Sequence, residues 1–379
     1  MVGLERTILP QIAEVDFGIS AKTAIFSFIL VFGIVKAITN YYTGYFAERH
    51  GRKKLLILGW IVALPIPLIL IYANSWSWII FANILLGLNQ GLTWSSTVVM
   101  KIDLVGEKNR GLAMGLNESA GYLAVGLVAF LTGWISSEYG LRPYPFYLGI
   151  VLSILGLTGS WLLIRDTLHH VKVESSVSAK PKLTNIFWQT TWKDPNLGSI
   201  TQAGMVNNLN DGMVWGLLPI LLIGQGFDLV QTGKIVGLYP IIWGLGQLFT
   251  GKMADHLNKK SMLFIGMILQ GMAILLFTRA ESFAFFVLLA SLLGVGTAIV
   301  YPTFLAAIAD ETHPQQRAES IGTFRLWRDL GYAIGALMTG ILVDIWGMHF
   351  ALMMVALLTV GSAFIILLRM KVPGSRSVS

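Results

Sequence analysis

The 379-residue chain contains no cysteine. That excludes a disulfide framework and any thiolate metal site. Charged residues are scarce as well, at 12%, against about 25% in soluble domains. No HExxH or GxSxG pattern occurs, so hydrolysis has no candidate machinery and the chain is expected not to be an enzyme. One stretch, GQLFTGKM at 246–253, approaches a phosphate loop. It lacks the following Ser or Thr and ends an apolar run instead of following a strand, so it is not read as one. His169 and His170 are adjacent with no further ligands nearby, so no metal and no cofactor are expected.

What is present is apolar: 55% hydrophobic residues and a mean hydropathy of +0.68. A soluble core cannot hide that much apolar surface, so lipid must be the solvent. The net charge of +7 would fit nucleic acid in a soluble protein. In a membrane protein it reflects basic residues held on the cytoplasmic side, and no nucleic-acid partner is expected. Apolar runs long enough to span fall at 21–45, 55–73, 78–100, 111–135 and 143–164. After a polar interval they resume at 197–223, 231–250, 262–279, 283–309, 319–343 and 349–368.

A repeat organises these runs. The charged turn GYFAERHGRKK at 44–54 has a fainter echo, GKMADHLNKK at 251–260, which begins 207 positions later (251 − 44). A turn used twice at matching places points to two duplicated halves. The start of the chain is short by this measure. The apolar stretch 1–13 includes Glu5, Arg6 and Pro10, and thirteen helical residues rise only about 20 Å, short of the roughly 30 Å hydrocarbon core. The later half opens at Leu197, which the offset maps to position −10. The first helix is therefore expected to lack about ten residues and its cytoplasmic lead. A signal peptide is the other reading, but no basic n-region or A-x-A site is present.

Counting 1–13 as the first, the spans number twelve. The expected layout is an N-terminal six-helix bundle at 1–164, a central loop at 165–196, a second bundle at 197–368 and a tail at 369–379. Part of the loop, with SSVSAKPK and two tryptophans, is expected to be flexible and part to lie on the membrane surface. Loops on the side of the GRKK turn hold 19 Lys and Arg, and the opposite loops hold three: Lys22, Arg142 and Arg279. That asymmetry puts the turn, the loop and the C-terminus in the cytoplasm of a multi-pass protein of the plasma or inner membrane.

The six-plus-six layout and the G-x-x-x-[DE]-R-x-G-R-[KR] turn after the second span resemble the major facilitator superfamily. The residues concerned are Gly44, Glu48, Arg49, Gly51, Arg52 and Lys53, with Glu48 where the family usually has Asp. The echo keeps Gly251 and Asp255 but has Asn258 in place of the second glycine. The resemblance implies an all-α fold of two pseudo-symmetric bundles, with spans one, two, four, five, seven, eight, ten and eleven around a cavity. It also implies a gating role for the two turns. Glu48 would approach the start of span eleven, near Ala318 to Ile321, and Asp255 the start of span five near Arg110, where a carboxylate suits the helix dipole. Gly44 would allow close helix contact, and the basic residues would meet acidic groups and anionic lipid. Span five lacks the G-x-x-x-G-P run of antiporter-type members.

Polar residues inside the spans are costly, so each implies a partner or an aqueous cavity. Lys36 and Asn40 share a face of span two, and Asn207 and Asp211 share one in span seven. Span four offers Asn89, Gln90 and Trp94, and span five Glu118 and Tyr122. Span eight carries Tyr239, Trp243 and Gln247 at four-residue steps, span ten Tyr301, and span eleven Arg325, Arg328 and Asp329. Arg325 and Asp329 form an i,i+4 pair that could neutralise itself. The offset sets Asp211 opposite position 4, beside Glu5. Arg6, Lys36, Arg325 and Arg328 balance Glu5, Glu118, Asp211 and Asp329, so the cavity shows no strong charge preference. Glu118 and Asp211, without basic neighbours on their own helices, are the first candidates to carry protons. The expected function is secondary transport of a small organic solute by alternating access, coupled to protons, by a monomer in contact with membrane lipid. The alternatives are a solute sensor or scaffold that binds without transport, and a lipid-acting membrane enzyme.

Overall fold

A computed structural model describes the backbone of residues 1–371 and their side chains except those of 21–26, 107, 229 and 230. The Lys22 side chain and the tail beyond residue 371 lie outside the described residues. All regular structure among them is helical. In chain order the helices are α1 (Val2–Phe17), α2 (Ala21–His50), α3 (Arg52–Ala63), α4 (Pro65–Tyr72), α5 (Trp76–Val105), α6 (Arg110–Tyr139) and α7 (Tyr144–Leu163). The connecting segment forms α8 (Leu168–Val177) and α9 (Ile186–Trp188), which runs into a π-helical turn at Gln189–Lys193. Then come α10 (Pro195–Gly224), α11 (Leu229–His256), α12 (Lys259–Phe277), α13 (Phe283–Glu311), α14 (Arg317–Trp346) and α15 (Met348–Arg369).

Helices α2, α5, α6 and α11 outrun their apolar stretches by a turn or more, because their ends carry polar residues beyond the hydrocarbon layer, whereas α7 and α15 match theirs within a residue at each end. The first helix runs to Phe17, not to residue 13, and Gly18 closes it in the left-handed conformation at φ 63°. The run 55–73 is not one helix. Pro65 has no amide hydrogen to donate, so the rod breaks at Leu64 into α3 and α4. Among the described residues seven helical stretches, one of them α3 and α4 taken together, are long and apolar enough to cross a membrane by composition alone. Helices α2, α5, α10 and α11 are 28 to 30 residues long but carry polar faces.

The offset of 207 persists in the folded chain. Helices α6 and α14 begin at Arg110 and Arg317 and end at Tyr139 and Trp346, and α1 and α10 end at Phe17 and Gly224. One apolar cluster, including Leu4, Ile8, Ile66 and Phe146, belongs to the first set of helices, and another, including Leu218, Ile274 and Phe286, to the second. A third cluster crosses between them, joining Ile102 and Met114 to Leu197, Phe304 and Ile321. All these residues lie at the helix ends nearest the GRKK turn, so the halves are packed together on that side. Large apolar side chains such as Leu163 and Leu368 are exposed on the outer helices α7 and α15, as a lipid-facing surface requires.

The connecting segment docks more firmly than its composition predicts. Trp327 Nε1 donates to Thr191 Oγ1 at 3.0 Å, and the Leu183 backbone exchanges two hydrogen bonds with the Gln316 side chain. The Arg369 guanidinium stacks 4.0 Å over the Trp192 ring.

Candidate functional site: a central cavity and its closed end

The cavity measures about 750 Å³ and is lined by α1, α2, α5, α6, α10, α11, α13 and α14. No lining residue comes from α3, α4, α7, α12 or α15. The polar stripes therefore point inward on eight helices, because that wall alone spares them from lipid.

On one side of the cavity stand Lys36 and Asp329, 3.4 Å apart. Asp329 also accepts from Arg328 at 2.6 Å and from Asn40 at 2.6 Å. Asn40, itself fully buried, passes the network to Ser95 Oγ at 2.6 Å. Arg328 donates to the Tyr301 hydroxyl at 2.5 Å. On the other side, Asp211 accepts from the Tyr239 hydroxyl, which also lies 3.2 Å from Thr297 Oγ1. No cation pairs with Asp211 among the described residues. An aromatic floor separates these groups from the packed end. The rings of Tyr122 and Trp243 lie 4.1 Å apart, those of Trp243 and Tyr301 5.3 Å, and those of Trp94 and Tyr122 6.1 Å. Gln90 completes the wall, and Arg6 enters the cavity with no ion pair among the described residues.

Several expected lining residues lie elsewhere. Glu5 is buried against Phe28, Asn83 and Leu86, one helical step away from the cavity that Arg6 faces. Asn89 donates to the Gly59 carbonyl at 2.9 Å, tying α5 to α3. Asn207 accepts from Gln270 at 3.0 Å, a contact between α10 and α12. Gln247 is fully buried at the contact with α6, its amide unpaired. Glu118 is not isolated. It is fully buried below the floor, accepts from Trp94 Nε1 at 3.0 Å and from Asn117 at 2.9 Å, and lies 3.7 Å from Arg325. Arg325 therefore pairs across to α6 and not with Asp329, whose cations are the adjacent Arg328 and Lys36. The charge balance changes accordingly. Three cations, Arg6, Lys36 and Arg328, and two carboxylates, Asp211 and Asp329, line the cavity.

The floor rests on two helix crossings of the same construction. A Cβ on Gly44 of α2 would fall 2.3 Å from the Ala318 carbonyl oxygen of α14, and one on Gly115 of α6 2.2 Å from that of Gln247 in α11. Only glycine permits backbones this close. Asp255 caps the start of α6, accepting from the Gly111 and Leu112 amides at 2.6 and 2.9 Å. Its counterpart Glu48 forms no such cap. It is exposed and faces Glu319, a second carboxylate in the first turn of α14 where α6 has Leu112. Like charges keep it away. Arg49 lies over the Tyr45 ring at 5.1 Å.

Below the crossings sits an ion network that follows the offset. Asp103 accepts from Arg52 of its own half at 3.2 Å and Arg317 of the other at 3.4 Å. Asp310 takes Lys259 of its own half at 2.9 Å and Arg110 of the other at 2.9 Å. Glu174 of α8 lies between, 2.7 Å from Arg110 and 2.6 Å from Arg317. Burial alone would raise the Glu174 carboxyl, but the hydrogen bonds and charges of Arg317 and Arg110 outweigh it and hold it below its ordinary value. Gly51 fits this packing for two reasons. It turns at φ 84°, and a Cβ there would meet Asp166 at 2.6 Å, the carboxylate that also accepts from the Lys53 amide at 2.9 Å. Asp103, Asp310 and Glu174 were not among the expected residues. The offset of 207 was a signal for the first two, since it pairs them by position.

Comparisons with known proteins agree with this architecture. The family profile of the Major Facilitator Superfamily matches residues 6–244 and again 200–379. The proton-coupled antiporter flippase LtaA of Staphylococcus saprophyticus is 24% identical over 354 residues, covering 89% of this chain and 81% of that protein. An uncharacterised MFS-type transporter of Methanocaldococcus jannaschii is 22% identical over 317 residues, with 83% and 81% covered. The multidrug resistance protein MdtG of Salmonella typhimurium is 23% identical over 318 residues, with 82% and 76% covered. The crystal structure of the human organic anion transporter MFSD10 superposes with a TM-score of 0.78 over 96% of this chain and 95% of that one, at 16% identity. This chain is a multi-pass membrane protein belonging to the major facilitator superfamily.

Proposed function

We propose that the protein is a secondary active transporter that moves a small organic solute by alternating access, and that it works by transport and not by catalysis. The observation that carries this reading is the contrast between the two ends of one cavity. Eight helices surround a charged space at mid-depth, while on the turn side glycine crossings, an apolar cluster and an ion network close it. A bistable closure of this kind, opened on one side at a time, is what alternating access requires. With the turns placed in the cytoplasm by the basic-residue asymmetry, the arrangement is the one closed toward the cytoplasm. The names of the relatives LtaA, MdtG and MFSD10 support an organic cargo and, for LtaA, proton coupling.

The proton carrier in this reading is Asp211. It faces the cavity, has no cation partner among the described residues and is held by one phenol hydroxyl. Glu118 is the lesser candidate because Arg325 stands 3.7 Å away and Trp94 holds it. The test uses proteoliposomes containing a trapped pH dye and a panel of organic solutes. A solute that moves protons with the native protein should bind the Asp211→Asn variant and exchange through it without moving protons. Proton movement that survives in Asp211→Asn overturns the assignment to Asp211. Solute binding without any counterflow in the native protein overturns transport itself.

A further inference from the structure

The two sides of the cavity differ in chemistry. Toward α1, α2 and α14 the wall carries Arg6, Lys36, Arg328 and Asp329. Asp329 is already saturated by Lys36, Arg328 and Asn40, which leaves Arg6 as the cation without a partner among the described residues. Its charge reaches Asp211, whose oxygen is engaged by Tyr239. Trp243 on the aromatic floor is 3% exposed and lines the cavity, but its unpaired Nε1 is sealed from it. A guanidinium can only donate, so Arg6 calls for an acceptor-rich or anionic group.

The opposite wall is apolar and leads out of the protein. Helices α6 and α11 touch at Gly115 and Gln247 and again at Tyr122 and Trp243. Farther from the turn side they part. A Cβ added at Gly126 or at Gly237 would meet nothing within 4 Å. Leu127, 59% exposed, and Ile241, 57% exposed, line the cavity from its two edges, with Leu123 and Leu245 beside them. The same side chains thus border both the cavity and the outer surface, which makes a slit from the one to the lipid. The offset maps Leu127 and Ile241 to Ile334 and Ile34, which do not line the cavity; on that side Lys36, Asp329 and Tyr332 face it beside Phe28, Ile29, Phe32 and Gly33.

We propose that the cavity takes an anionic amphiphile, its charged group held by Arg6 and its hydrocarbon part lying in the slit between α6 and α11. This deepens the transport reading by naming the substrate class. The ligand is either a free single-chain anion or a bilayer lipid with an anionic head, and the two share this chemistry. A hydrocarbon of this kind is sheltered from water along its whole length, because the slit leads from an apolar wall into lipid.

The test is photocrosslinking of the full-length protein in nanodiscs, with no gradient applied, so its outcome does not depend on transport. The probes are dodecyl phosphate carrying a terminal diazirine and a diacyl phosphatidic acid carrying the same group on one chain. The expected crosslinks fall on α6 near Leu127 and on α11 near Ile241. Unlabelled dodecyl phosphate should compete, and dodecyltrimethylammonium should not. Arg6→Gln should weaken that competition on the order of tenfold, the loss of one charge-assisted hydrogen bond. Leu127→Asn combined with Ile241→Asn, both at exposed positions, should abolish the preference for dodecyl over butyl phosphate while leaving the melting temperature unchanged. Labelling by dodecyl phosphate alone identifies a free amphiphile, and labelling by both probes identifies a lipid. Crosslinks confined to other outer helices, or equal competition by the ammonium, overturn the proposal. If the slit is labelled but no solute exchanges in proteoliposomes, binding stands and transport falls.

Discussion

Arg110 and Arg317, equivalent positions in the two halves, donate to the same carboxylate, Glu174 of the connecting helix, at 2.7 and 2.6 Å. One side chain from outside both bundles therefore lies where their pseudo-symmetry meets, and it holds the turn-side closure from its axis. Asp103 and Asp310 complete the pattern, each binding one cation of its own half and one of the other.

The pH dependence of this latch follows from its sign. The Glu174 carboxyl is held below its ordinary value of 4.5 while the latch is closed. Its contribution is therefore fully present above 4.5 and is lost as the pH falls through the closed-state value. Between pH 6 and 8 Glu174 should stay ionised. Its contribution to turn-side closure, read as the difference in label accessibility between the native protein and Glu174→Gln, should be flat across that range and should fall only in acid. Glu174→Gln should open more readily than the native protein above the closed-state value, match it in acid and so lose the acid dependence. An opening transition centred near pH 7 that disappears in Glu174→Gln contradicts this assignment.

The two aspartates of the network should not be equally important. The side chains of Asp103, Arg52 and Arg317 are fully buried, and removing one partner leaves uncompensated buried charge. Asp103→Asn should cost about 3–5 kcal/mol. The Asp310 side chain is 34% exposed and that of Lys259 23% exposed, so Asp310→Asn should cost at most about 1 kcal/mol, less in high salt. Thermal melts of the purified variants should show a large drop for the first and a small one for the second.

Glycine at the crossings is a condition of closure more than of folding. A Cβ at Gly115 would collide with the Gln247 carbonyl, and one at Gly322 would sit 2.8 Å from that of Asn40. Gly115→Ala and Gly322→Ala should each hold the turn-side ends of the helices apart and shift the population toward the state open on the turn side. Accessibility of a cysteine introduced at the turn-side end of α11 should rise in both variants. Unchanged accessibility would mean that the crossings do not gate.

Much of this was readable in the chain. The offset of 207 located both crossings, since Gly44 and Gly251 open the two turns, and the inward-facing stripes named ten of the residues that line the cavity. Pairing through space was less legible. Arg325 looked able to neutralise Asp329 at i,i+4, but it lies against Glu118 on another helix, and the adjacent Arg328 takes Asp329. Glu5 matched Asp211 in depth, yet helical phase turns it toward α5 and leaves Arg6 facing the cavity. Glu48 and Asp255 matched in register, but Glu319 repels the one where Leu112 leaves room for the other. Glu174 carried no pattern at all, because it acts through arginines 64 and 143 residues away along the chain.

The central claim is that the two ends of the cavity open in alternation. The chain has no native cysteine, so spin labels can be placed without background. One pair, at Lys54 and Asn258, reports the turn side, and another, at Tyr139 and Trp346, reports the opposite ends of α6 and α14. Electron–electron distance measurements in nanodiscs should give two populations, a short turn-side distance with a long opposite one, and the reverse. A change of pH or an added solute should shift both pairs in opposite directions. Distances that stay fixed at both ends, or that lengthen together, would contradict alternating access.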